Sequence, residues 1–437
     1  MTIGALYKEF LTSSGVTTDS RTAGKEQIFF ALRGENFDGN RYIDEALERG
    51  CRFAVSDHPG MEERENVTVV ADVLIALQEL ALHHRRQWGG KVLAITGSNG
   101  KTTTRELVNA VLSEKYRVLS TQGNLNNHIG VPLTLLELAD QEIGVIEMGA
   151  NHAGEIAKLC RIAEPDAGII TNIGKAHLEG FGSLEGVKKA KGELYDHLEK
   201  NGGTAIVDLS DPIISEMAGS RNLEVFSYGE GDGYDVDGAP VASKGEAGID
   251  VTFSIHQKSY KTSSVLFGSY NMKNILAAAA TGTWLGVVPD KIVAAVSRYT
   301  PDNNRSQLAR GRTNTLILDA YNANPSSVAG AVREFEQMDH PDKVLILGDM
   351  YETGSDEEHE HRALLQHLAG SDIGKVMLVG KRFGQFSRDP KFPFQFFGDV
   401  EECLGSLRED PPRNSLVMLK GSRKNALEKA TNFLLDC

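Results

Sequence analysis

The run Gly97-Ser98-Asn99-Gly100-Lys101-Thr102-Thr103 carries the residue types that a phosphate group needs. Two glycines let the backbone approach phosphate oxygens, Lys101 can neutralise the outer phosphates, and the Thr102 hydroxyl can ligate Mg²⁺. The loop has one residue fewer between its glycines than the common phosphate loop, and by itself it also fits a polar turn before a helix. Its context decides between the two. Val92 to Ile95 is a short apolar run that reads as a buried strand, and Leu107, Val108, Val111 and Leu112 recur at helical spacing. Backbone N–H groups at the start of a helix have no internal partner and point at an anion, and the helix dipole favours negative charge there. A nucleoside triphosphate is therefore the expected ligand. The loop does not say what the triphosphate is used for.

Other polar residues fall where strands end. Ile143 to Met148 is an apolar run holding Glu147 near its end. In a parallel sheet ligands sit beyond the carboxyl ends of strands, so Glu147 is a candidate Mg²⁺ partner; the bland alternative is a carboxylate capping the next helix. Ala167 to Asn172 ends another run, and His177 follows in a loop bounded by Gly174 and Gly180. Lys188, Lys189 and Lys191 lie on one helix, and spacing alone singles out none of them. Farther on, Asp319-Ala320-Tyr321-Asn322-Ala323-Asn324-Pro325, Gly348-Asp349-Met350 and Lys420-Gly421-Ser422-Arg423 each follow a strand-like run, which suggests one binding edge. Glu357-Glu358-His359-Glu360-His361 imitates a metal site, but on a helix the two histidines diverge by about 200°. A solvated acidic helix is the expectation.

The elements that must position these residues form an α/β chain of three domains. Residues 1–88 read as a small mixed α/β N-terminal domain, with strands Gln27–Leu32 and Phe53–Ser56 around a helix at Tyr42–Leu47. Asp19-Ser20-Arg21 and Arg33 to Gly39 are polar loops on it. Val73, Leu77, Leu80, Ala81, His84 and Trp88 form one helical stripe, ended by Gly89-Gly90. Residues 89–300 read as a central P-loop ATPase domain with a mostly parallel sheet. Within it, 229–250 reads as loops and turns before an antiparallel strand at Val251–Ile255, and Tyr270-Asn271-Met272-Lys273-Asn274 opens an alanine-rich helix. Residues 301–437 read as a C-terminal Rossmann-like α/β domain, with strands near 315–318, 344–347, 376–379 and 416–419.

A chain of 437 residues exceeds what one core usually serves. Its net charge of −14 argues against broad nucleic-acid or anionic-membrane binding, although a local cluster of Lys and Arg can still take an anionic small molecule. Cys51, Cys160, Cys403 and Cys437 are widely spaced and read as reduced thiols. The N-terminal stretch lacks a signal-peptide core, and the longest apolar stretch, Ile275 to Val288, is too short to span a bilayer. A cytoplasmic protein without membrane insertion is expected, and a monomer.

TDSR at 18–21, TGSNGKTTT at 96–104, GNLNNHIGVPLTLL at 123–136, EMGANHAGEI at 147–156, NIGKAHLEGFGS at 172–183, KAKGELY at 189–195, YNMKN at 270–274, DAYNANPSS at 319–327, LGDMYE at 347–352 and LKGSR at 419–423 together carry a family. On these runs the chain resembles the Mur ligases over nearly its whole length, and within them the MurF type. The resemblance implies an ATP-dependent ligase that joins D-Ala-D-Ala to UDP-N-acetylmuramoyl-tripeptide (UDP-MurNAc-tripeptide) in peptidoglycan precursor synthesis. It implies that Ser20 and Arg21 lie near the UDP end of that substrate. It implies two Mg²⁺ sites, one on Thr102 and Glu147, the other on His177 and a carbamylated Lys191. Asn271 and Asn274 would face adenine, Arg305 the phosphates and Asp319 the ribose. Asn127, preferred to Asn126, would be a polar contact in the phosphate pocket, and Tyr321, Asn322 and Asn324 would meet substrate. One departure stands out: the family often has Gly before the arginine, and here Asn304 precedes Arg305.

The implied chemistry makes physical sense. A carboxylate is a poor electrophile, and transfer of the γ-phosphoryl group turns it into an acyl phosphate with a good leaving group. Lys101, the loop amides, Arg305 and the metals offset the converging negative charge. ATP-binding groups from two domains imply closure, and an open form without ligands. Folylpolyglutamate synthetase shares the loop and the amide chemistry, but the first and third domains argue against it. A regulatory nucleotide binder has no use for a second metal site, and a kinase or motor does not explain the shortened loop.

Overall fold

The computed structural model describes residues 2–241, 248–351 and 353–437. Part of the 229–250 stretch and Glu352 of the LGDMYE run thus lie outside the described residues.

The N-terminal unit is built on a four-stranded sheet in the order Val16–Thr17, Ile28–Phe30, Phe53–Ser56, Val67–Val69, parallel throughout. The loop expected at Arg33 to Gly39 contains a small hairpin, Arg33–Gly34 with Phe37–Asp38. Beside the sheet lies the helix Val73–Trp88, begun by Asp72, whose side chain accepts from Ile75 N, and ended at Gly89 with φ +77°. Its Leu77, Leu80 and Ala81 share one core with Ile28, Phe30 and Val55 of the N-terminal sheet, and with Leu135 and Ile162 of the central unit. The stripe therefore serves two units at once.

The central sheet has nine strands. From one edge they run Val118–Ser120, Ile143–Glu147, Lys91–Thr96, Ala167–Ile170, Thr204–Asp208, Glu224–Glu230, Val236–Val241, Ile249–Ile255 and Lys258–Ser264. The first seven are parallel and the last two pairings are antiparallel. Val92 and Ala94 enter one core, and Leu93 and Ile95 the core on the opposite face. Burial on both faces is why this strand reads as a continuous apolar run rather than an alternating one. One expectation is corrected here: Val236–Val241 is a strand within the stretch read as loops. Its Gly238 sits where an added Cβ would lie 2.4 Å from a Leu276 methyl, so close packing by the helix Asn271–Trp284 requires the glycine that made the segment look like a turn.

The third unit has six strands in the order Gln307–Arg310, Thr315–Asp319, Leu416–Lys420, Lys343–Gly348, Lys375–Val379, Gln395–Phe397, parallel except for the first pairing. The strand last in sequence, Leu416–Lys420, lies between the first two parallel strands, so their carboxyl ends open at a switch point. The three polar clusters of the sequence follow these adjacent strands. The acidic helix Glu357–Ala369 is not wholly solvated: His361 is 1% exposed, its Nε2 accepts from Met350 N at 3.1 Å, and its Nδ1 donates to the Glu357 carbonyl at 2.7 Å. Burial keeps this imidazole below its ordinary range. Among the described residues no helix is long and apolar enough to cross a membrane.

Candidate functional site

The phosphate loop leaves the strand Lys91–Thr96 and becomes the helix Lys101–Leu112. Its shape is set by two glycines with positive φ, Gly97 at +144° and Gly100 at +77°. A Cβ at Gly97 would lie 2.0 Å from Thr171 Oγ1, and one at Gly100 would lie 2.7 Å from Asn274 Oδ1. The neighbouring strand end holds the loop. Asn99 N donates to Asn172 Oδ1 at 3.0 Å, Thr171 Oγ1 donates to the Asn99 carbonyl at 2.6 Å, and Ser98 Oγ donates to the Gly174 carbonyl at 3.1 Å. Lys101 Nζ folds over the loop and donates to the Gly97 and Ser98 carbonyls at 2.8 and 3.2 Å.

This loop forms one wall of a cavity of about 930 Å³, within the range of nucleotide and cofactor sites. Ser98 to Thr103, Asn127, Glu147, His177, Asn271, Asn274, Arg305, Asp319, Tyr321, Asn322 and Asn324 all line it. Lys101, Lys158, Lys273, Lys420, Arg305, Arg333 and Arg423 line it against only Glu147, Glu155 and Asp319. A chain of net charge −14 thus carries a locally cationic cavity, the reversal an anionic ligand needs.

Glu147 is 2% exposed at its strand end. Asn126 Nδ2 donates to its Oε1 at 2.8 Å, while its buried Oε2 has no hydrogen-bond partner among the described residues. This oxygen faces Arg105 Nη1 at 3.6 Å without a hydrogen bond, and a buried carboxylate lining the same cavity as Thr102 fits a divalent cation. Of the two asparagines it is Asn126 that touches Glu147; Asn127 instead uses its Oδ1 to accept from Ile129 N and Gly130 N at 3.0 and 2.9 Å, starting the next helix. His177 sits with φ +51° ahead of the short helix Leu178–Phe181.

Lys191 does not line the cavity. It is 1% exposed, with Nζ 3.4 Å from the carbonyl of Ala150, a lining residue, and 5.3 Å from the Phe181 ring centroid. Burial, reinforced by the charge of Lys101, pulls its ammonium down from 10.5 to about 7. The two asparagines expected at adenine are largely engaged. Thr104 Oγ1 donates to Asn274 Oδ1 at 3.0 Å, Asn274 Nδ2 to Asn271 Oδ1 at 2.7 Å, and Asn271 Nδ2 to the Phe267 carbonyl at 2.7 Å. They brace the helix Asn271–Trp284 against the phosphate-loop helix.

From the third unit, Arg305 stacks its guanidinium 3.7 Å from the centroid of Tyr321. The departure at Asn304 has a physical answer: its φ is +56°, a conformation that glycine adopts freely and asparagine tolerates better than most residues. Asp319 and Lys420 are register neighbours on parallel strands, and Lys420 Nζ donates to Asp319 Oδ2 at 2.7 Å. Asn324 caps its helix and donates from Nδ2 to Asn99 Oδ1 at 2.7 Å, so the third unit touches the phosphate loop. Asn322 is exposed at the rim. Ser20 and Arg21 do not line this cavity. Ser20 Oγ donates to Glu45 Oε2 at 3.2 Å, and Arg21 pairs with Asp19 at 2.7 Å on the N-terminal unit.

Sequence reading passed over Arg105, ranked Asn126 behind Asn127, and placed Lys420 only as a member of a polar cluster after a strand. Arg105 lies three residues after Thr102 and so shares its helix face, a signal the helical spacing contained. The pairing of Lys420 with Asp319 is recognisable only once strand order puts the two side by side.

Residues 95–282 match the family description "Mur ligase middle domain", 304–423 "Mur ligase, glutamate ligase domain" and 12–85 "Mur ligase family, catalytic domain". The UDP-N-acetylmuramoyl-tripeptide–D-alanyl-D-alanine ligase of Bacillus subtilis (strain 168) is 34% identical over 436 residues, spanning 97% of this chain and 93% of that protein. A crystal structure of MurF from Acinetobacter baumannii matches with a TM-score of 0.87 at 30% identity, over 98% of each chain. MurF ligase from Thermotoga maritima, solved in complex with ADP, matches with a TM-score of 0.86 at 25% identity, over 97% of each chain. Three matched regions in order, and one-third identity across nearly the full length, establish that the chain belongs to the Mur ligase family.

Proposed function

We propose that the chain is an ATP-dependent ligase that adds D-Ala-D-Ala to UDP-MurNAc-tripeptide, acting as a cytoplasmic monomer in peptidoglycan precursor synthesis. The observation that carries the reading is the single cationic cavity in which the phosphate loop, Glu147 and His177 meet Arg305, Asp319 and Tyr321 of the third unit. The names of the full-length relatives support the choice of substrates.

In this reading the loop amides and Lys101 bind the triphosphate, and the Arg305 guanidinium, fixed by Tyr321, meets the charge that grows as the γ-phosphoryl group moves to the tripeptide carboxylate. The amine of D-Ala-D-Ala then attacks the acyl phosphate and inorganic phosphate leaves. Thr102 and Glu147 would hold one Mg²⁺, and His177 with a carbamylated Lys191 a second; bound there, Mg²⁺ supplies charge neutralisation of the phosphates. The buried Oε2 of Glu147, which accepts no hydrogen bond among the described residues, supports the first site. The second is supported by the buried Lys191 amine, which is substantially neutral near pH 7 and so able to add CO₂ and release a proton. Ser20 and Arg21 are proposed to contact the UDP end, and the three domains are proposed to divide at 88/89 and 300/301. Contact between the third unit and the phosphate loop supports assembly of the site from both.

The test is ADP release by the purified chain with Mg²⁺, UDP-MurNAc-tripeptide and D-Ala-D-Ala, each omitted in turn. ADP release that needs both substrates, with the mass of UDP-MurNAc-pentapeptide appearing, is the expected result. No turnover with either the lysine or the diaminopimelate tripeptide, despite bound ATP, would overturn it.

A further inference from the structure

Behind the cavity a line of polar side chains joins Glu147 to the segment that carries Arg305. Glu147 Oε2 is 3.6 Å from Arg105 Nη1. Arg105 Nη2 donates to Glu106 Oε1 at 2.9 Å, and its Nη1 donates to the Gly123 carbonyl at 3.3 Å. Glu106 accepts from Asn303 Nδ2 at 2.7 and 2.9 Å and from the Tyr299 hydroxyl at 2.5 Å. Arg105 and Glu106 belong to the phosphate-loop helix. Tyr299 and Asn303 belong to the segment between the helix Pro289–Arg298 and the strand Gln307–Arg310. Arg305 follows on that segment between two left-handed residues, Asn304 at φ +56° and Ser306 at φ +47°.

The line is poised rather than saturated. The Arg105 side chain is only 6% exposed, and its buried Nε has no hydrogen-bond partner among the described residues; the same holds for Asn303 Oδ1. A buried guanidinium between two carboxylates responds to the charge on each, because little solvent screens it. A cation at Glu147 would take up part of that carboxylate's charge. Arg105 would then be drawn to Glu106, tightening the anchor on Asn303 and Tyr299.

We infer that Arg105 and Glu106 are positioning residues that couple divalent-cation occupancy at Glu147 to the 299–305 segment, and through it to Arg305. The inference rests on the proposed reading that Mg²⁺ and nucleotide meet at Glu147. Coupling is reciprocal, so loosening the segment weakens the cation.

Amide hydrogen exchange over residues 299–306 of the full chain tests this, with ADP plus a chelator compared with ADP plus Mg²⁺. In the unmodified chain Mg²⁺ adds protection to the segment. Glu106→Gln removes the charge while keeping the shape, and Asn303→Ala cuts the line at its far end. Each abolishes the Mg²⁺-dependent protection and weakens Mg²⁺ binding to the ADP-bound chain by about fivefold or more. ADP affinity in chelator is unchanged. In turnover, kcat falls while KM for ATP moves less than about twofold. Arg105→Lys restores part of the protection that Arg105→Met loses. Unchanged Mg²⁺-dependent protection in Asn303→Ala, or equal loss in Arg105→Lys and Arg105→Met, overturns the inference. Absence of Mg²⁺-dependent ADP binding in the unmodified chain overturns the underlying reading as well.

Discussion

Lys191 is the residue whose environment most constrains its chemistry. The unfolded chain keeps its proton up to about 10.5, and the folded chain gives it up near 7 because burial disfavours the charge. Between those values the unfolded state binds more protons, so stability rises with pH; below about 7 the folded state bears the full penalty of a buried ammonium. Lys191→Met is therefore expected to raise the melting temperature of the metal-free protein more at about pH 6 than at about pH 9. An equal shift at both would show that the lysine is not held neutral. With ¹³C-bicarbonate, a carbamate resonance absent from Lys191→Met is expected to grow as pH rises through about 7, following the neutral amine. Arg305 makes a different prediction. Its planar guanidinium stacks on Tyr321 and presents several donors, which an ammonium does not reproduce. Arg305→Lys is expected to lower kcat by about tenfold or more with a smaller change in KM for ATP. Steady-state ATP titration reads the split, and an effect confined to KM would remove Arg305 from the phosphoryl-transfer step.

At the scale of elements, strand, loop and helix around residues 91–112 form one device, and its tolerance is set by contacts from outside it. Gly97→Ala would bring a Cβ to 2.0 Å from Thr171 Oγ1 in a left-handed backbone position, so the loop must shift. Nucleotide affinity, measured by calorimetry with Mg²⁺ and ADP, is expected to drop by about tenfold or more while the far-ultraviolet circular dichroism stays native. Retained affinity would mean that the loop adapts. Gly238→Val tests packing instead of binding: overpacking against Leu276 is expected to cost about 1–3 kcal/mol in urea unfolding, with the nucleotide site intact. The strands Ile143–Glu147 and Ala167–Ile170 were legible because both faces are buried and their residues, up to the terminal Glu147 of the first, carry no polar side chain. The edge strands Gln307–Arg310 and Gln395–Phe397 were not, since a short strand paired on one side needs little apolar signal.

In the whole molecule, the third unit meets the phosphate-loop side through polar contacts. Asn324 reaches Asn99 at 2.7 Å, and Lys175, with its side chain 52% exposed, reaches Glu360 at 2.8 Å. With its lysine half exposed to solvent, this ion pair is worth about 1 kcal/mol or less and adds little to the hold between the units. Solution scattering is expected to report a larger radius of gyration for the protein alone than with Mg²⁺, an ATP analogue and UDP-MurNAc-tripeptide. Superimposable profiles would mean that the site does not depend on closure.

What the sequence by itself determined was local. Glycine spacing, a lysine and threonine at a helix start, and apolar periodicity make a phosphate loop wherever the chain folds, because their effects act within a few residues. A shared set of motifs supplied the remaining candidates. Tertiary structure alone decided which of them converge. Strand order put Asp319 beside Lys420, and helix packing gave the cavity-lining Asn271 and Asn274 hydrogen bonds that brace two helices. Burial made Lys191 a near-neutral amine while Lys188 and Lys189 stayed in reach of solvent. Those outcomes depend on contacts between residues distant in the chain and on the local dielectric, and neither is a property of spacing.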